Sequence, residues 1–361
     1  MHAEGSKRKR IAIIGAGVAG IVSAWRLHED FDVTLFEKNE YLGGHTNTVT
    51  IPSGPDAGLG VDTGFIVLND RTYPNFRQFL DELEVETQDT EMSFSFQCDK
   101  TGLSYGSKNL GSLFAQRRNI LSPAYYRFLL EITHFNRNAR RALEESNIPK
   151  VSLGEYLQRG GYSSFMIENY LLPMAAAIWS TPTLRVADFP AEAFLRFFSN
   201  HGLLTVSDHP QWMTVVGGSH SYIKAFQKRF KGEVRLKAGI DSILREDNGV
   251  RIHFESGNEE QYDMAILSAH ADQSLALLRD ADDLERGLLG PWRYQPNHTV
   301  LHTDESLLPR LASTRSAWNF IRTRGRGAES HVFVSYSMNI LQNLSTKKPY
   351  TVTLNHEGEY A

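Results

Sequence analysis

Six residues near the start, Gly15-Ala16-Gly17-Val18-Ala19-Gly20, restrict what this chain can fold into more than any other stretch. They follow an unbroken apolar run, Ile11-Ala12-Ile13-Ile14, of the kind that makes a strand buried on both faces of a parallel sheet. After them Val18, Ile21, Val22 and Trp25 recur at helical spacing up to Leu27. Asp32-Val33-Thr34-Leu35-Phe36 then reads as a second strand, rich in β-branched and aromatic residues. Strand, helix and strand within about thirty residues make a βαβ unit with a right-handed crossover. In that setting the three glycines have separate tasks. Gly15 permits the tight turn, Gly17 removes a side chain that would block a pyrophosphate, and Gly20 lets helix and strand pack closely. The helix opening at Val18 and Ala19 presents unpaired N–H groups and a partial positive charge to phosphates.

Glu37 ends the second strand, 17 residues after Gly20, near the roughly 20-residue separation expected of an acid that reads a ribose. A carboxylate there accepts from a free 2′-hydroxyl and repels a 2′-phosphate, which disfavours NADP. The sequence continues Lys38-Asn39-Glu40-Tyr41-Leu42-Gly43-Gly44-His45. The glycine pair after the acid resembles the extended FAD fingerprint of two-dinucleotide-binding-domain flavoproteins, among them monoamine oxidases and phytoene desaturases. That resemblance implies FAD as cofactor and argues against an NAD-linked dehydrogenase. It implies cofactor contacts at Gly15, Gly17, Val18, Ala19, Gly20, Glu37, Lys38, Gly43, Gly44 and His45, the last standing where relatives often carry arginine.

Further stretches carry the same resemblance. Val61-Asp62-Thr63-Gly64-Phe65 resembles the segment beside the flavin ring, which implies cofactor contacts at Thr63, Gly64 and Phe65. Val216-Gly217-Gly218-Ser219 resembles the turn that introduces the second cofactor-domain portion. The strand pair from Val234 to Ile240 looks like the one whose backbone, at Ile240, meets the adenine. Asp263 to His270 looks like the strand entering the cofactor crevice. More narrowly, Thr63 to Val67, Leu171 to Trp179, Leu301 to Asp304 and Trp318-Asn319-Phe320 resemble a bacterial group described as predicted NAD/FAD-binding proteins with an amine-oxidase-type domain.

The implied fold is α/β: a discontinuous Rossmann-like FAD-binding domain of the two-dinucleotide-binding-domain type, over 1–95 and 210–270, with a mixed α+β, helix-rich substrate domain over 96–209 and 271–361. The implied function is an FAD-dependent oxidoreductase taking a hydride from a C–N or C–C bond of a small hydrophobic substrate. Amine oxidation and desaturation are not separable at this point. Members of this superfamily normally finish with a glycine-rich segment and a helix that close over the flavin. After Val352-Thr353-Leu354 only Asn355 to Ala361 follow. That leaves open a truncated chain, weak flavin binding, or a partner chain completing the flavin site, and the alternative expectation is a non-catalytic or partner-dependent flavin-binding protein.

Composition narrows the remaining classes. A formal charge of -4 over 361 residues gives no reason to expect a nucleic-acid partner, and Lys7-Arg8-Lys9-Arg10 reads as a solvated lead-in. Cys98 is the single cysteine, which excludes an intrachain disulfide and suits a reducing compartment. Ile11 to Trp25 holds three glycines and Ser23, so no membrane span is expected and the protein reads as soluble and cytoplasmic. Thirteen scattered histidines lack zinc spacing, and no structural metal is expected.

Residues from about 108 to 205 read as helical. Tyr126, Leu129, Leu130 and Thr133 form one stripe, and Ile167, Tyr170, Leu171 and Met174 another. The large apolar residues there, among them Leu172, Ile178, Trp179, Phe194, Phe197 and Phe198, suit either a core or a pocket for a hydrophobic substrate. Pro173 predicts a kink or boundary. His302 and Asp304 fall on one face of a strand, as a proton-handling pair or a polar strand end.

Overall fold

The computed structural model describes residues 8–179, 186–205, 209–324, 330–356 and 358–360. The first apolar run forms the strand Arg10–Ile14, the glycine turn follows, and the helix Val18–Leu27 crosses to the strand Asp32–Phe36. These strands pair in parallel, Ile11 opposite Val33 and Ile13 opposite Leu35. Glu233–Arg235 extends the sheet beyond Asp32–Phe36, and Met264–Leu267 pairs on the other side of Arg10–Ile14, both in parallel. Moving outward from Arg10–Ile14 to Asp32–Phe36 to Glu233–Arg235, the chain steps twice in the same direction. Right-handed crossovers therefore put the helices Val18–Leu27 and His220–Arg229 on the same face.

Side-chain alternation dictates what fills the two faces. Ala12, Ile14 and Phe36 point to the face opposite the helices and cluster with Ile243, Val250, Ile252 and Tyr262. Those four come from an antiparallel three-stranded sheet, Ile240–Glu246, Gly249–Phe254 and Glu259–Tyr262. Elsewhere in the unit Trp25 meets Phe79 and Phe226 edge-on, and Phe79 meets Tyr222. Phe79, Leu80 and Leu83 are all buried. These elements belong to a compact unit of Met1–Thr50, Gln78–Glu86 and Val216–Pro296.

The other compact unit comprises Ile51–Arg77, Thr87–Val215 and Asn297–Ala361. Its six-stranded sheet runs, in spatial order, Thr299–His302, Thr351–Leu354, Ser330–Ser337, Trp318–Arg324, Phe94–Cys98 and Leu103–Gly106. Only the pairing of Trp318–Arg324 with Phe94–Cys98 is parallel. A smaller antiparallel sheet joins Val67–Asn69, Trp212–Val215 and Thr87–Thr90.

One face of the large sheet is apolar. Phe96, Phe320, Val334 and Val352 share a core with the helices Pro123–Glu144, Leu153–Arg159, Leu172–Trp179 and Ala191–Asn200. Phe96 and Phe320 stack with centroids 5.8 Å apart. The opposite face carries a row of buried polar side chains, each hydrogen-bonded across strands. Ser95 Oγ donates to Asn319 Oδ1 at 2.8 Å, Asn319 Nδ2 donates to the Ser335 carbonyl at 3.0 Å, and the Ser335 and Thr353 hydroxyls share a 2.8 Å bond.

The two helical stripes expected between 108 and 205 fare differently. Leu171, Met174, Phe194 and Phe198 are buried core residues, with Leu172, Ile178, Trp179 and Phe197 packed against them, so the apolar wealth of this region goes into packing. Of the stripe Tyr126, Leu129, Leu130 and Thr133, only Leu129 packs against the core, and the other three are exposed. The helix Pro123–Glu144 carries apolar residues on both sides, and the one formed by Tyr125, Phe128, Phe135 and Ala139 takes the core. Pro173 does mark a boundary. A π-helical turn, Ile167–Leu171, precedes the helix Leu172–Trp179, and the carbonyl of Asn169, which proline cannot serve, accepts from the Tyr105 hydroxyl at 2.8 Å.

Truncating Phe320 removes a ring with no exposed surface from the centre of this core. Phe320→Ala should cost about 3–5 kcal/mol of unfolding free energy, measured by urea denaturation.

Candidate functional site

The turn between the first strand and helix is built by exclusion. Gly15 has φ +99°, where a side chain would be strained, and an added Cβ would also lie 2.9 Å from the Ser268 carbonyl oxygen. A Cβ on Gly20 would sit 1.9 Å from the carbonyl oxygen of Gly15, an approach no residue with a side chain can make. Gly17 is different. Its φ of -71° and ψ of -179° suit any residue, and a Cβ there would meet nothing within 4 Å. Neither backbone strain nor packing requires glycine at this position, and the open space beside it suits a ligand at the helix start. Gly17 is also the N-cap of Val18–Leu27 and offers no side-chain cap, while Val18 and Ala19 are exposed. The N–H groups of a helix's first turn have no intrahelical partner, and here the N-cap residue supplies no side chain to satisfy them.

Around this turn the structure gathers most of the residues singled out in the sequence. Glu37 is buried at the end of its strand and accepts three hydrogen bonds. Its Oε2 takes the Ala16 N–H at 2.9 Å, and its Oε1 takes the Asn39 backbone N–H at 2.9 Å and side-chain amide at 2.8 Å. A carboxylate has about four acceptor positions, so roughly one remains for a hydroxyl from outside. The backbone N–H of Gly43 donates to the Ala16 carbonyl at 2.8 Å, and Gly44 would place a Cβ 3.0 Å from the Gly17 Cα. The glycine pair is thus seated directly against the first turn, as close backbone approach demands. Ala238 N–H donates to the Glu37 carbonyl, which brings the segment leading into Ile240 beside the acid. Lys38 and His45 are exposed.

Two features beside this group carry no signal in the sequence. His45 stacks on His270 with centroids 5.5 Å apart, and His270 stacks on Tyr294 at 4.1 Å and 3° between planes. Asn39 ties down one Glu37 oxygen from within a connecting run. Side-chain amides and aromatic pairs have no spacing rule that would flag them.

Thr63, Gly64 and Phe65 lie in the other unit, between the strands Gly60–Asp62 and Val67–Asn69. Phe65 packs edge-on against Phe76 at 5.4 Å, and the buried Asp62 is held by Gln342, whose amide donates to Oδ2 at 3.1 Å. Their assignment to a flavin rests on the resemblance alone. His302 and Asp304 form a strand end and the turn after it. The Asp304 N–H donates to His302 Nδ1 at 3.1 Å, which leaves Nε2 to donate to the Thr353 hydroxyl at 2.7 Å. Asp304 caps the turn Glu305–Leu307 through the Ser306 N–H. Burial lowers the His302 pKa, in keeping with this neutral tautomer. Among the described residues, no group of three or more His, Cys, Asp or Glu side chains is arranged to hold a metal, and no helix is long and apolar enough to cross a membrane.

A family model for flavin-containing amine oxidoreductases matches residues 18–329. Over 98 residues the sequence is 33% identical to the 1-hydroxycarotenoid 3,4-desaturase of Flavobacterium sp., a stretch that takes in 27% of this chain and 18% of the desaturase. The crystal structure of a CLA-producing fatty acid isomerase from P. acnes superposes with a TM-score of 0.67 at 17% identity, covering 99% of this chain and 79% of that one. Wild-type putrescine oxidase bound to putrescine gives 0.66 at 14% identity, covering 96% and 75%. At such identities the structural likeness concerns the fold.

Two substitutions check the local construction. Gly20→Ala should destabilise by at least about 3 kcal/mol, the upper end of overpacking costs, because backbone cannot yield as a flexible side chain does. Glu37→Ala should cost roughly 2–4 kcal/mol, since it orphans the Ala16 and Asn39 N–H groups. Denaturant unfolding of the flavin-free protein reads both.

Proposed function

This chain belongs to the flavin-containing amine oxidoreductases, FAD-dependent oxidoreductase enzymes, and from that premise we propose that it removes a hydride from a C–N or C–C bond of a small hydrophobic substrate. The observation that carries the cofactor assignment is the open space beside Gly17, at an uncapped helix start. It supports binding of the pyrophosphate there, with N–H donors from the helix start, those of Gly15 and Ala16 being taken by the Phe36 carbonyl and Glu37. The remaining acceptor position on Glu37 supports one hydrogen bond from a ribose hydroxyl. The same carboxylate holds the turn through Ala16, so the ribose-reading acid and the phosphate-binding loop are one rigid piece. Gly43 and Gly44 lie along the same turn, Lys38 follows the acid, and His45 next to the glycine pair and the backbone at Ile240 are the further cofactor contacts of this reading.

When bound, the flavin ring accepts the hydride, so the chain need supply few acids or bases of its own. Its task is to hold the substrate carbon in line and exclude water. The likeness to a carotenoid desaturase over 98 residues supports an apolar substrate. Packing has already absorbed the apolar helical residues, so those do not add to that support.

The protein should purify yellow and release FAD on denaturation. Gly17→Val should lower bound flavin more than tenfold while changing the stability of the flavin-free protein by no more than about 1 kcal/mol, the scale of N-cap substitutions. Stoichiometric flavin retained in that variant would overturn the placement. Turnover with a panel of amines and polyenes then divides the chemistry. Hydrogen peroxide with an amine assigns C–N oxidation, and a product with an added double bond assigns desaturation.

A further inference from the structure

The outward stripe of the helix Pro123–Glu144 does not stand alone. Leu121, immediately before the N-cap Ser122, is 87% exposed, Leu130 is 69% exposed, and Tyr126 lies one turn from Leu130 on the same side. Tyr126 packs against Phe114 at 5.8 Å, and Phe114 ends the short helix that starts at Leu110, itself 75% exposed. Four apolar tips thus stand out from one end of this helical region. Core packing does not use them.

Charge sets this stretch apart as strongly. Residues 100–130 contain Lys100, Lys108, Arg117, Arg118 and Arg127 and no Asp or Glu, in a chain whose formal net charge is -4. Lys108 is paired with Glu91, and Arg118 donates to the Gly102 carbonyl. Among the described residues Arg117 and Arg127 are in no ion pair, and Arg137 and Arg140 continue the exposed side of the long helix, also unpaired.

We propose that this face docks the protein onto an anionic phospholipid membrane, with Leu110, Leu121, Tyr126 and Leu130 entering the headgroup region and the arginines meeting lipid phosphates. Exposed apolar tips on a segment that also carries unpaired cations match an interface that is negative at its surface and apolar beneath. A second copy of this chain fits less well, because a self-complementary contact would bring the same cationic segments together.

Flotation of the purified protein with vesicles of phosphatidylcholine alone, or mixed with phosphatidylglycerol, tests this. Binding should require the anionic lipid and fall as salt is raised. Leu121→Ser with Leu130→Ser should lower the bound fraction at least tenfold. Arg117→Gln with Arg127→Gln should lower the partition coefficient about fivefold per charge, from about 1 kcal/mol for each cation near the surface. All four positions are exposed, so the thermal midpoint should not move, and the arginine pair keeps the test available should the leucine pair misfold. Wild-type protein that floats with neither vesicle overturns the proposal, as do variants that float as well as wild type. A concentration-dependent dimer dispersed by the leucine substitutions would also overturn it, assigning the face to self-association. None of these readouts depends on flavin.

Discussion

The Cβ that Gly20 lacks would lie 1.9 Å from the carbonyl oxygen of Gly15, and the first unit is organised around that missing atom. Because helix and turn touch backbone to backbone, the helix axis is aimed close to the carboxyl ends of the parallel strands. Its uncapped N–H groups then open onto the same ground as the end of the second strand. The Glu37 carboxylate completes the arrangement by binding Ala16 inside the turn, and Gly43 and Gly44 lie against it from the other side. A side chain at position 20 would tilt the helix, and the loss would spread to each of these contacts.

Much of that unit is legible in the sequence because its elements are local and their patterns unambiguous. Ile11 to Ile14, Asp32 to Phe36 and Met264 to Leu267 are short runs dominated by apolar residues, and each forms a strand within a residue of those limits. The glycine spacing locates the turn, while the family and cofactor come from the resemblance carried by Gly43, Gly44 and the later stretches. The large sheet of the other unit is harder to read. Its parallel pairing sets Phe94–Cys98 beside Trp318–Arg324, more than two hundred residues away, and no local signal encodes such a partner. Ser95, Gln97, Asn319, Ser335 and Thr353 alternate with apolar neighbours as if one face were wet, yet all are buried. The stripe on Pro123–Glu144 misleads for a related reason. Periodicity identifies a face but cannot say which of two apolar faces meets the core, and Tyr125, Phe128 and Phe135 outweigh Tyr126 and Leu130 in ring area.

The polar row on the large sheet has an energetic meaning of its own. Each member is satisfied through its neighbour, from Ser95 through Asn319, Ser335 and Thr353 to His302. Such rows add little net stability, but removing one member strands the next in a buried site. They therefore specify register. A slip by one residue would turn Phe320 and Val334 onto this face and the hydroxyls into the aromatic core.

Cys98 closes the strand Phe94–Cys98 as a free thiol with 1% of its surface exposed. A buried thiol of this kind is chemically silent until the strand opens, and as the chain's single cysteine it gives an unmixed signal. Its rate of reaction with a disulfide reagent is therefore a built-in clock for opening of the six-stranded sheet. The same silence leaves the surface free of competing thiols, so a cysteine introduced at any exposed position would carry a spectroscopic label alone.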